Sequence, residues 1–313
     1  MNERRMSRGA LLPVLVAAGL TACSPGGKAP PPPAQTPAPA AGGPAAAAEG
    51  PRIVMSDDLV HLEYRVLGHG EPAVLLLHGW AGNAEYWHAQ FDALKAHYTV
   101  VALDLAGHGA SGANRTDWSI ARYAADVATI ARQVPNAHVV LVGHSMGATV
   151  ALAAVPRIGS RVIGVIAVDA LRSVGLPPLS APEIAARVAP FKADFIGATR
   201  ALVSDSLFEK GANPQLVQKV AYDLSLRSPA VAVPTLEQLL ALDLATLTPA
   251  VHVPVYAINS DLLPTDAERI RKSLPDFTLD VMPHTGHFPM LEAPERFNAL
   301  LLKDIDALAA RAR

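Results

Sequence analysis

The apolar residues after position 52 fall into short, almost unbroken runs that alternate with longer stretches of helical spacing. The runs rich in Val, Leu and Ile, predicted as strands, cover residues 59–67, 73–78, 98–103, 138–142, 162–168, 253–258 and 277–282. The helical stretches cover residues 86–95, 120–134, 146–157, 265–274 and 295–310. Strands that are apolar on both sides are typical of a parallel sheet covered by helices on both faces. The pattern predicts a mostly parallel, doubly wound α/β fold.

Residues 170–249 break this alternation. They contain four stretches of helical spacing, at 182–189, 191–208, 214–226 and 233–242, and no convincing strand. An interval of this length without secondary structure would be unusual in a folded domain. We therefore predict a helical insertion above the sheet, with most of its apolar residues used for packing.

The first 22 residues have the composition of a secretory signal. Three arginines within the first eight residues precede an apolar stretch at 10–20 that is short for a membrane span. The segment ends in Leu-Thr-Ala followed by Cys23, which resembles the bacterial lipobox, in which the cysteine is lipidated. We expect residues 1–22 to be a lipoprotein signal peptide, the alternative being an ordinary signal peptide with a chance cysteine. By resemblance to enterobacterial lipoproteins, Ser24 after the cysteine implies anchoring in the outer membrane of the cell envelope.

The segment that follows the cysteine is compositionally distinct. Between residues 24 and 51 there are nine Pro, nine Ala and five Gly. Such a segment buries too little apolar surface to fold, and its prolines favour an extended conformation. We predict that residues 23–51 form a tether between the anchor and a globular part at 52–313.

Composition narrows the chemistry of the globular part. The chain is 50% hydrophobic and 17% charged, with a formal net charge of −2 and one cysteine. The charge balance gives no sign of nucleic-acid binding. A single cysteine excludes an internal disulfide and any site that needs a pair of cysteines. No nucleotide loop, HExxH or CxxC pattern is present, so neither a cofactor nor a metal is expected.

One motif carries the chemistry. Gly143-His144-Ser145-Met146-Gly147 follows a predicted strand, precedes a predicted helix and matches G-x-S-x-G, the nucleophile elbow. The tight turn needs small residues on both sides and projects the serine above the sheet. We therefore predict that Ser145 is a nucleophile.

A serine nucleophile needs a base, and His287 is the candidate. It lies in Thr-Gly-His-Phe after the last predicted strand, at the sheet edge where a loop can reach over the elbow. The rival is His284, three residues earlier. We expect the His144 side chain to point away from the serine in the turn, and His78 and His108 to tie loops together.

The base needs a carboxylate to orient it. Asp261 follows the predicted strand 253–258 and is the first candidate. Two alternatives stay open: Asp266, which is also placed to cap a helix, and Asp169, which ends an earlier strand. For the oxyanion hole, the position after the strand 73–78 nominates the main-chain N–H of Trp80, paired with that of Met146 after the nucleophile.

Taken in order, these motifs resemble the α/β-hydrolase superfamily. HGW (78–80), DLAGHGASG (104–112), GHSMG (143–147) and GHF with LEAPERF (286–297) carry the resemblance, which covers residues 59–313. It implies Ser145 as nucleophile, His287 as base, Asp261 as acid, and Trp80 and Met146 as oxyanion donors. It also implies that the insertion at about 170–249 is a cap and that the 104–112 turn is structural. The segment before Asp261 is shorter than the loop before the acid in many members.

The resemblance implies a serine hydrolase. A serine at the elbow favours acyl transfer to water, and we expect the partner to be a small or medium carboxylic ester or lactone cleaved through an acyl-enzyme. Alternatives are an amidase or peptidase, a C–C hydrolase, a perhydrolase, or a non-catalytic ligand-binding lipoprotein of the same fold.

Overall fold

An eight-stranded sheet forms the centre of the computed structural model, which describes residues 49–313. The strands are β1 (Gly50–Met55), β2 (His61–Leu67), β3 (Ala73–Leu77), β4 (Thr99–Leu103), β5 (Val139–His144), β6 (Val162–Val168), β7 (Val255–Ser260) and β8 (Phe277–Met282). Their spatial order is β1-β2-β4-β3-β5-β6-β7-β8. Strands β3 to β8 are parallel, whereas β2 is antiparallel to both of its neighbours. The predicted α/β-hydrolase fold, with its mostly parallel sheet, is confirmed.

Helices cover both faces of this sheet. The helices are α1 (His88–Lys95), α2 (Ile120–Ala131), α3 (Met146–Ile158), α4 (Ala181–Ala193), α5 (Phe195–Ser206), α6 (Pro214–Ser225), α7 (Pro229–Ala241), α8 (Ala267–Arg271), α9 (Pro289–Glu292) and α10 (Pro294–Arg311). Residues of α2 and α3 pack in one core cluster with Leu75 and Leu77, while residues of α1 and α10 pack in the other with Val74 and Leu76. Successive residues of a strand point to opposite faces, so β3 is apolar throughout because both of its faces are buried.

The first strand corrects a predicted boundary. β1 begins at Gly50, so Gly50 and Pro51, predicted as the end of the tether, belong to the sheet and lie opposite Val66 and Arg65. A proline is tolerated there because β1 is an edge strand. The predicted signal peptide, Cys23 and the tether up to residue 48 lie outside the described residues.

Helices α4 to α7 form the helical insertion, and each predicted helical stretch overlaps one of them. The predicted helix 191–208 is divided at Asp194, whose side chain accepts a hydrogen bond from Gly197 N and so starts a new helix. A small apolar cluster joins three of these helices. The buried residues of the cluster are Val188, Phe191, Phe195, Ala232 and Val233, and the half-buried Trp80 packs against them.

Within residues 49–313, no single helix has both the length and the apolar composition to cross a bilayer. Helix α7 and the following segment Leu244–Ala250 reach those limits only as a pair, bent by 73°.

Candidate active site

Ser145 occupies a strained turn between β5 and α3. Its φ of 51° and ψ of −117° are outside the regions that L-residues favour. The turn is possible because glycines flank it: a Cβ on Gly143 would lie 2.3 Å from Gly147 backbone atoms, and one on Gly147 would lie 2.4 Å from Leu77 O. The Ser145 N–H donates to Val168 O at 2.9 Å, which fixes the turn to β6. The strand–turn–helix context predicted for the serine is confirmed.

The imidazole of His287 pairs with Asp169. His287 Nδ1 lies 2.6 Å from Asp169 Oδ2. Because the carboxylate only accepts hydrogen bonds, Nδ1 carries the proton and Nε2 is left as the basic nitrogen. His287 and Ser145 line the same cavity. The structure thus brings the predicted nucleophile and base to one site.

Asp261 does not reach this imidazole, and its prediction as the carboxylate partner of His287 is wrong. It is exposed and accepts a hydrogen bond from the main-chain N–H of His284 at 2.9 Å. That hydrogen bond lowers the pKa of the Asp261 carboxyl. Of the two alternatives, Asp266 caps α8 by accepting a hydrogen bond from Arg269 N at 3.0 Å. Of the three aspartates, only Asp169, directly after β6, contacts the base.

Asp169 is itself held by several donors. Arg172 binds both carboxylate oxygens, at 2.6 and 3.0 Å, and Ser260 donates to Oδ1 from its main-chain N–H at 2.8 Å and its hydroxyl at 2.6 Å. Burial raises the pKa of Asp169, but the hydrogen bonds and charges of His287 and Arg172 outweigh it and hold the pKa well below its usual range. The carboxylate is therefore ionised and fixed in place.

The main chain around His287 is held by Glu292. One carboxylate oxygen accepts from Gly286 N at 2.9 Å and the other from Phe288 N at 3.1 Å. The two donors flank the histidine, so one side chain fixes the peptide on each side of it. Burial raises the pKa of Glu292.

Two further hydrogen bonds hold His287 itself. Its carbonyl oxygen lies 2.7 Å from His144 Nε2, and its N–H donates to Leu207 O at 2.7 Å. Burial, together with the nearby charge of His287, lowers the pKa of His144 to about 3, so it is a neutral donor. His144 is buried and lines the same cavity as Ser145 and His287, so the expectation that its side chain points away from the serine stays a prediction. Leu207 ends α5, so the helical insertion contacts the base directly.

The other two buried histidines tie loops together, as predicted. His78 donates from Nδ1 to Gly79 O and accepts from Leu105 N, while His108 Nδ1 binds Ala106 O. Burial lowers their pKa values to about 4 and about 3 respectively. Both rings are neutral, so they act as fixed hydrogen-bonding groups.

The predicted oxyanion donors lie next to the serine. A Cβ on Gly79 would lie 3.3 Å from Ser145 Cβ, which places the Gly79–Trp80 turn against the nucleophile. Met146 is the first residue of α3, where a main-chain N–H has no partner within the helix. Neither N–H makes a main-chain hydrogen bond to another loop within residues 49–313. The Trp80 indole is used elsewhere, donating to Ala232 O of α7 at 2.7 Å.

Ser145 borders two cavities. The smaller, about 190 Å³, is also lined by Trp80, His287 and mostly apolar side chains of the helical insertion. The larger cavity, about 380 Å³, is lined by Met146, Asp169 and residues from the beginning and the end of the insertion. Leu239 of α7 lines both cavities, as Ser145 does. A substrate can therefore extend from the serine in two directions.

Three residues of the site were not predicted: Arg172, Ser260 and Glu292. Glu292 lies in the LEAPERF segment, four residues after Phe288, a spacing that lets a side chain reach back to the preceding turn. Arg172 lies three residues after Asp169, with which it pairs, whereas Ser260 has no such local signal. In residues 49–313, no cluster of three or more His, Cys, Asp or Glu side chains is placed to hold a metal ion.

Comparison with known proteins agrees with the fold. A sequence model of a family described as the alpha/beta hydrolase family matches residues 74–300. The chain is 39% identical over 89 residues to an uncharacterized protein of Mycobacterium tuberculosis (strain ATCC 25618 / H37Rv), covering 28% of this chain and 26% of that relative. It therefore spans about a quarter of that relative's length.

Two longer similarities cover most of the folded part. The chain is 29% identical over 256 residues to the dihydrolipoyllysine-residue acetyltransferase component of acetoin cleaving system of Cupriavidus necator, covering 79% of this chain and 67% of the relative. Among solved structures, it is similar to an esterase from Exiguobacterium antarcticum with a TM-score of 0.73 and 21% identity. That match covers 81% of this chain and 98% of the other. At such identity the structural likeness establishes the fold.

Proposed function

The chain belongs to the alpha/beta hydrolase family, and from this premise we propose that it is a serine hydrolase that cleaves a small or medium carboxylic ester or lactone. One observation carries the proposal: His287 Nδ1 lies 2.6 Å from the ionised Asp169, while its ring shares a cavity with the strained Ser145. A base oriented by a buried carboxylate beside a serine at an elbow is the arrangement that activates a hydroxyl for attack on a carbonyl.

The acylation step follows from these positions. Nε2 of His287 removes the proton of the Ser145 hydroxyl as its oxygen attacks the carbonyl carbon. Asp169 keeps the proton on Nδ1 and stabilises the imidazolium. The main-chain N–H groups of Trp80 and Met146 donate to the oxyanion of the tetrahedral intermediate. The intermediate collapses, the C–O bond to the alcohol breaks, and the imidazolium returns the proton to the leaving oxygen.

Deacylation repeats the sequence with water. His287 removes a proton from a water molecule, whose oxygen attacks the acyl carbon. The same two N–H groups stabilise the second oxyanion, and the proton returns to Ser145 as the carboxylic acid leaves. The two cavities that meet at Ser145 hold the acyl and alcohol parts on different sides. Their volumes, about 190 and 380 Å³, support a small or medium substrate.

Labelling by a fluorophosphonate probe tests the proposal. We expect the purified chain to be labelled and to hydrolyse p-nitrophenyl acetate and butyrate, and Ser145→Ala to lose both properties. Ser206→Ala, which changes an exposed serine of α5, serves as the matched control and keeps both. Wild-type rates in Ser145→Ala would refute the nucleophile. A chain that binds esters without labelling would support a ligand-binding role instead.

We also propose that Cys23 carries a lipid and anchors the protein in the bacterial envelope, at the outer membrane. The lipobox-like segment and the proline-rich stretch after it support this. Metabolic labelling with a radioactive fatty acid, followed by membrane fractionation, tests it. We expect label and membrane association in the wild type and neither in Cys23→Ala. Equal labelling of both would refute the anchor.

A further inference from the structure

A side cavity of about 310 Å³ lies next to the catalytic cavity, between α6 and the segment that leads into α1. Tyr86 lines both cavities, so the two spaces share a wall. The catalytic cavity is lined mainly by apolar groups around Ser145 and His287. The side cavity carries charge: Glu85, Lys219, Asp223 and Arg227 all line it.

The four charged residues that line the side cavity are two acids and two bases, and three of them are in ion pairs. Glu85 pairs with Arg65 at 2.6 Å, and Asp223 pairs with Lys219 at 2.5 Å. In the part of the chain that the structure describes, the guanidinium of Arg227 has neither an ion-pair partner nor a hydrogen-bond acceptor, and its Nε is buried. Arg227 is therefore the one charged residue of this cavity without an ion-pair partner among residues 49–313. Leaving a buried guanidinium donor unpaired is costly, and an anion would remove that cost.

Tyr86 adds a second unsatisfied donor. Its side chain is buried, and among residues 49–313 its hydroxyl has no hydrogen-bond partner. Burial raises the pKa of Tyr86 above its usual range, so the hydroxyl stays protonated and can donate. Two unpartnered donors, one of them cationic, thus belong to residues that line the same cavity beside the nucleophile. Other buried atoms without partners occur among residues 49–313, but this pair belongs to residues that line one cavity, which adjoins the catalytic cavity at Tyr86.

We propose that the side cavity binds a carboxylate of the substrate, so that the preferred substrate is a half-ester of a dicarboxylic acid. Arg227 supplies the charge and Tyr86 a hydrogen bond, while the ester carbonyl lies at Ser145. A carboxylate is favoured over a phosphate because a single negative charge matches the single unpaired cation beside two acidic residues, and the guanidinium matches carboxylate geometry. This inference rests on the proposed hydrolase function and specifies its substrate class.

Kinetics with matched esters test the inference. The probes are the monoethyl esters of succinate, glutarate and adipate, each compared with the ethyl ester of the monocarboxylic acid of equal chain length. We expect kcat/KM to favour at least one half-ester over its neutral counterpart. In Arg227→Gln this preference falls by about tenfold or more, as expected for the loss of a charged hydrogen bond, while the neutral esters change by less than about twofold. Tyr86→Phe reduces the preference by a smaller factor.

Arg187→Gln is the discriminating control, because Arg187 is an exposed cation that lines the larger cavity and not the side cavity. We expect it to keep the preference. Loss of the preference in Arg187→Gln but not in Arg227→Gln would overturn the proposal, as would a wild type that treats the paired esters alike. If the wild type cleaves neutral esters without preference, only this inference fails. Absence of both labelling and ester cleavage defeats the proposed function.

A binding measurement keeps the inference falsifiable without turnover. Calorimetric titration of Ser145→Ala with the monoethyl esters shows heats of binding for a half-ester, and about tenfold weaker binding in Ser145→Ala/Arg227→Gln. Circular dichroism checks that each variant is folded. If Arg227→Gln does not fold, the same comparison is made with Tyr86→Phe, which retains the side-chain volume. Equal affinity for the half-ester and its neutral counterpart in Ser145→Ala overturns the proposal.

Discussion

Asp169 and Asp261 follow neighbouring parallel strands, yet their surroundings are opposite. Asp169 follows β6, is buried and contacts His287, Arg172 and Ser260. Asp261 follows β7, is exposed and accepts a hydrogen bond from the main chain of His284. The strand that precedes a carboxylate therefore does not by itself decide whether it reaches the base.

The register of the two strands explains the difference. Val168 lies opposite Ile258, and Asp169 N donates to Ile258 O at 3.0 Å, so Asp169 is level with the last residues of β7. Asp261 lies beyond the end of β7. The N–H and hydroxyl of Ser260, its neighbour, point instead to Asp169 Oδ1. The end of β7 thus serves as a support for the carboxylate of β6, and the loop of His287 extends past β7 to reach it.

Replacement of each aspartate by asparagine tests directly which of the two orients the imidazole of His287. We expect Asp169→Asn to lower kcat for ester hydrolysis by about 10⁴-fold, because the uncharged amide does not stabilise the imidazolium and its N–H₂ group, facing Nδ1, selects the wrong tautomer of the ring. Asp261→Asn should change kcat by less than about twofold, since the exposed side chain acts only on a loop. Steady-state kinetics with p-nitrophenyl butyrate measure both.

The reverse result, a large loss in Asp261→Asn and a small one in Asp169→Asn, would mean that the loop of His287 moves to the other strand end in catalysis. Equal losses in both would show that the effect comes from the stability of the loops and not from the imidazole partner. Thermal unfolding of both variants separates these cases.

The sequence predicted the parts of the structure that depend on local residue patterns. Strand and helix spacing predicted the sheet, and the glycines of the elbow predicted the turn at Ser145, because both depend on neighbouring residues. The acid depends on how far a loop extends across strand ends, which periodicity does not encode. Ser260 was missed for the same reason, because its contact with Asp169 joins two strand ends that only the folded chain brings together.

Asp304 provides a second contrast with Asp169, since both are buried aspartates. Asp304 has one cation nearby, Lys303 at 3.5 Å, and its Oδ2 has no partner within the described part of the chain. Burial raises the pKa of Asp304 to about 6. The Asp304 carboxyl thus binds its proton more tightly in the folded state than in the unfolded chain, where its pKa is about 4. Its stabilising contribution is present below about pH 4 and is lost as the pH rises through about 6.

We expect Asp304→Asn to abolish the decrease in stability that ionisation of Asp304 causes as the pH rises. The free energy of unfolding of Asp304→Asn relative to wild type should rise by about 2 kcal/mol between pH 4 and pH 7, measured by urea denaturation. Asp205→Asn, which changes an exposed carboxyl of α5, is the control and should follow the wild-type pH dependence. A parallel pH dependence for Asp304→Asn and wild type would contradict the assignment.

Glu292 differs from Asp169 in how it acts on the base. It accepts hydrogen bonds from the main chain on each side of His287, whereas Asp169 contacts the imidazole ring. In Glu292→Gln an amide N–H₂ faces one of the two main-chain N–H donors, so one of the hydrogen bonds at 2.9 and 3.1 Å is lost. We expect kcat to fall by about tenfold with KM nearly unchanged, because the base is displaced while the cavity keeps its shape. The rate of fluorophosphonate labelling should fall in parallel, since the same base activates Ser145 in both reactions. Glu295→Gln, an exposed neighbour in α10, should leave both rates unchanged. A rise in KM at constant kcat would place Glu292 in substrate binding and not in positioning the base.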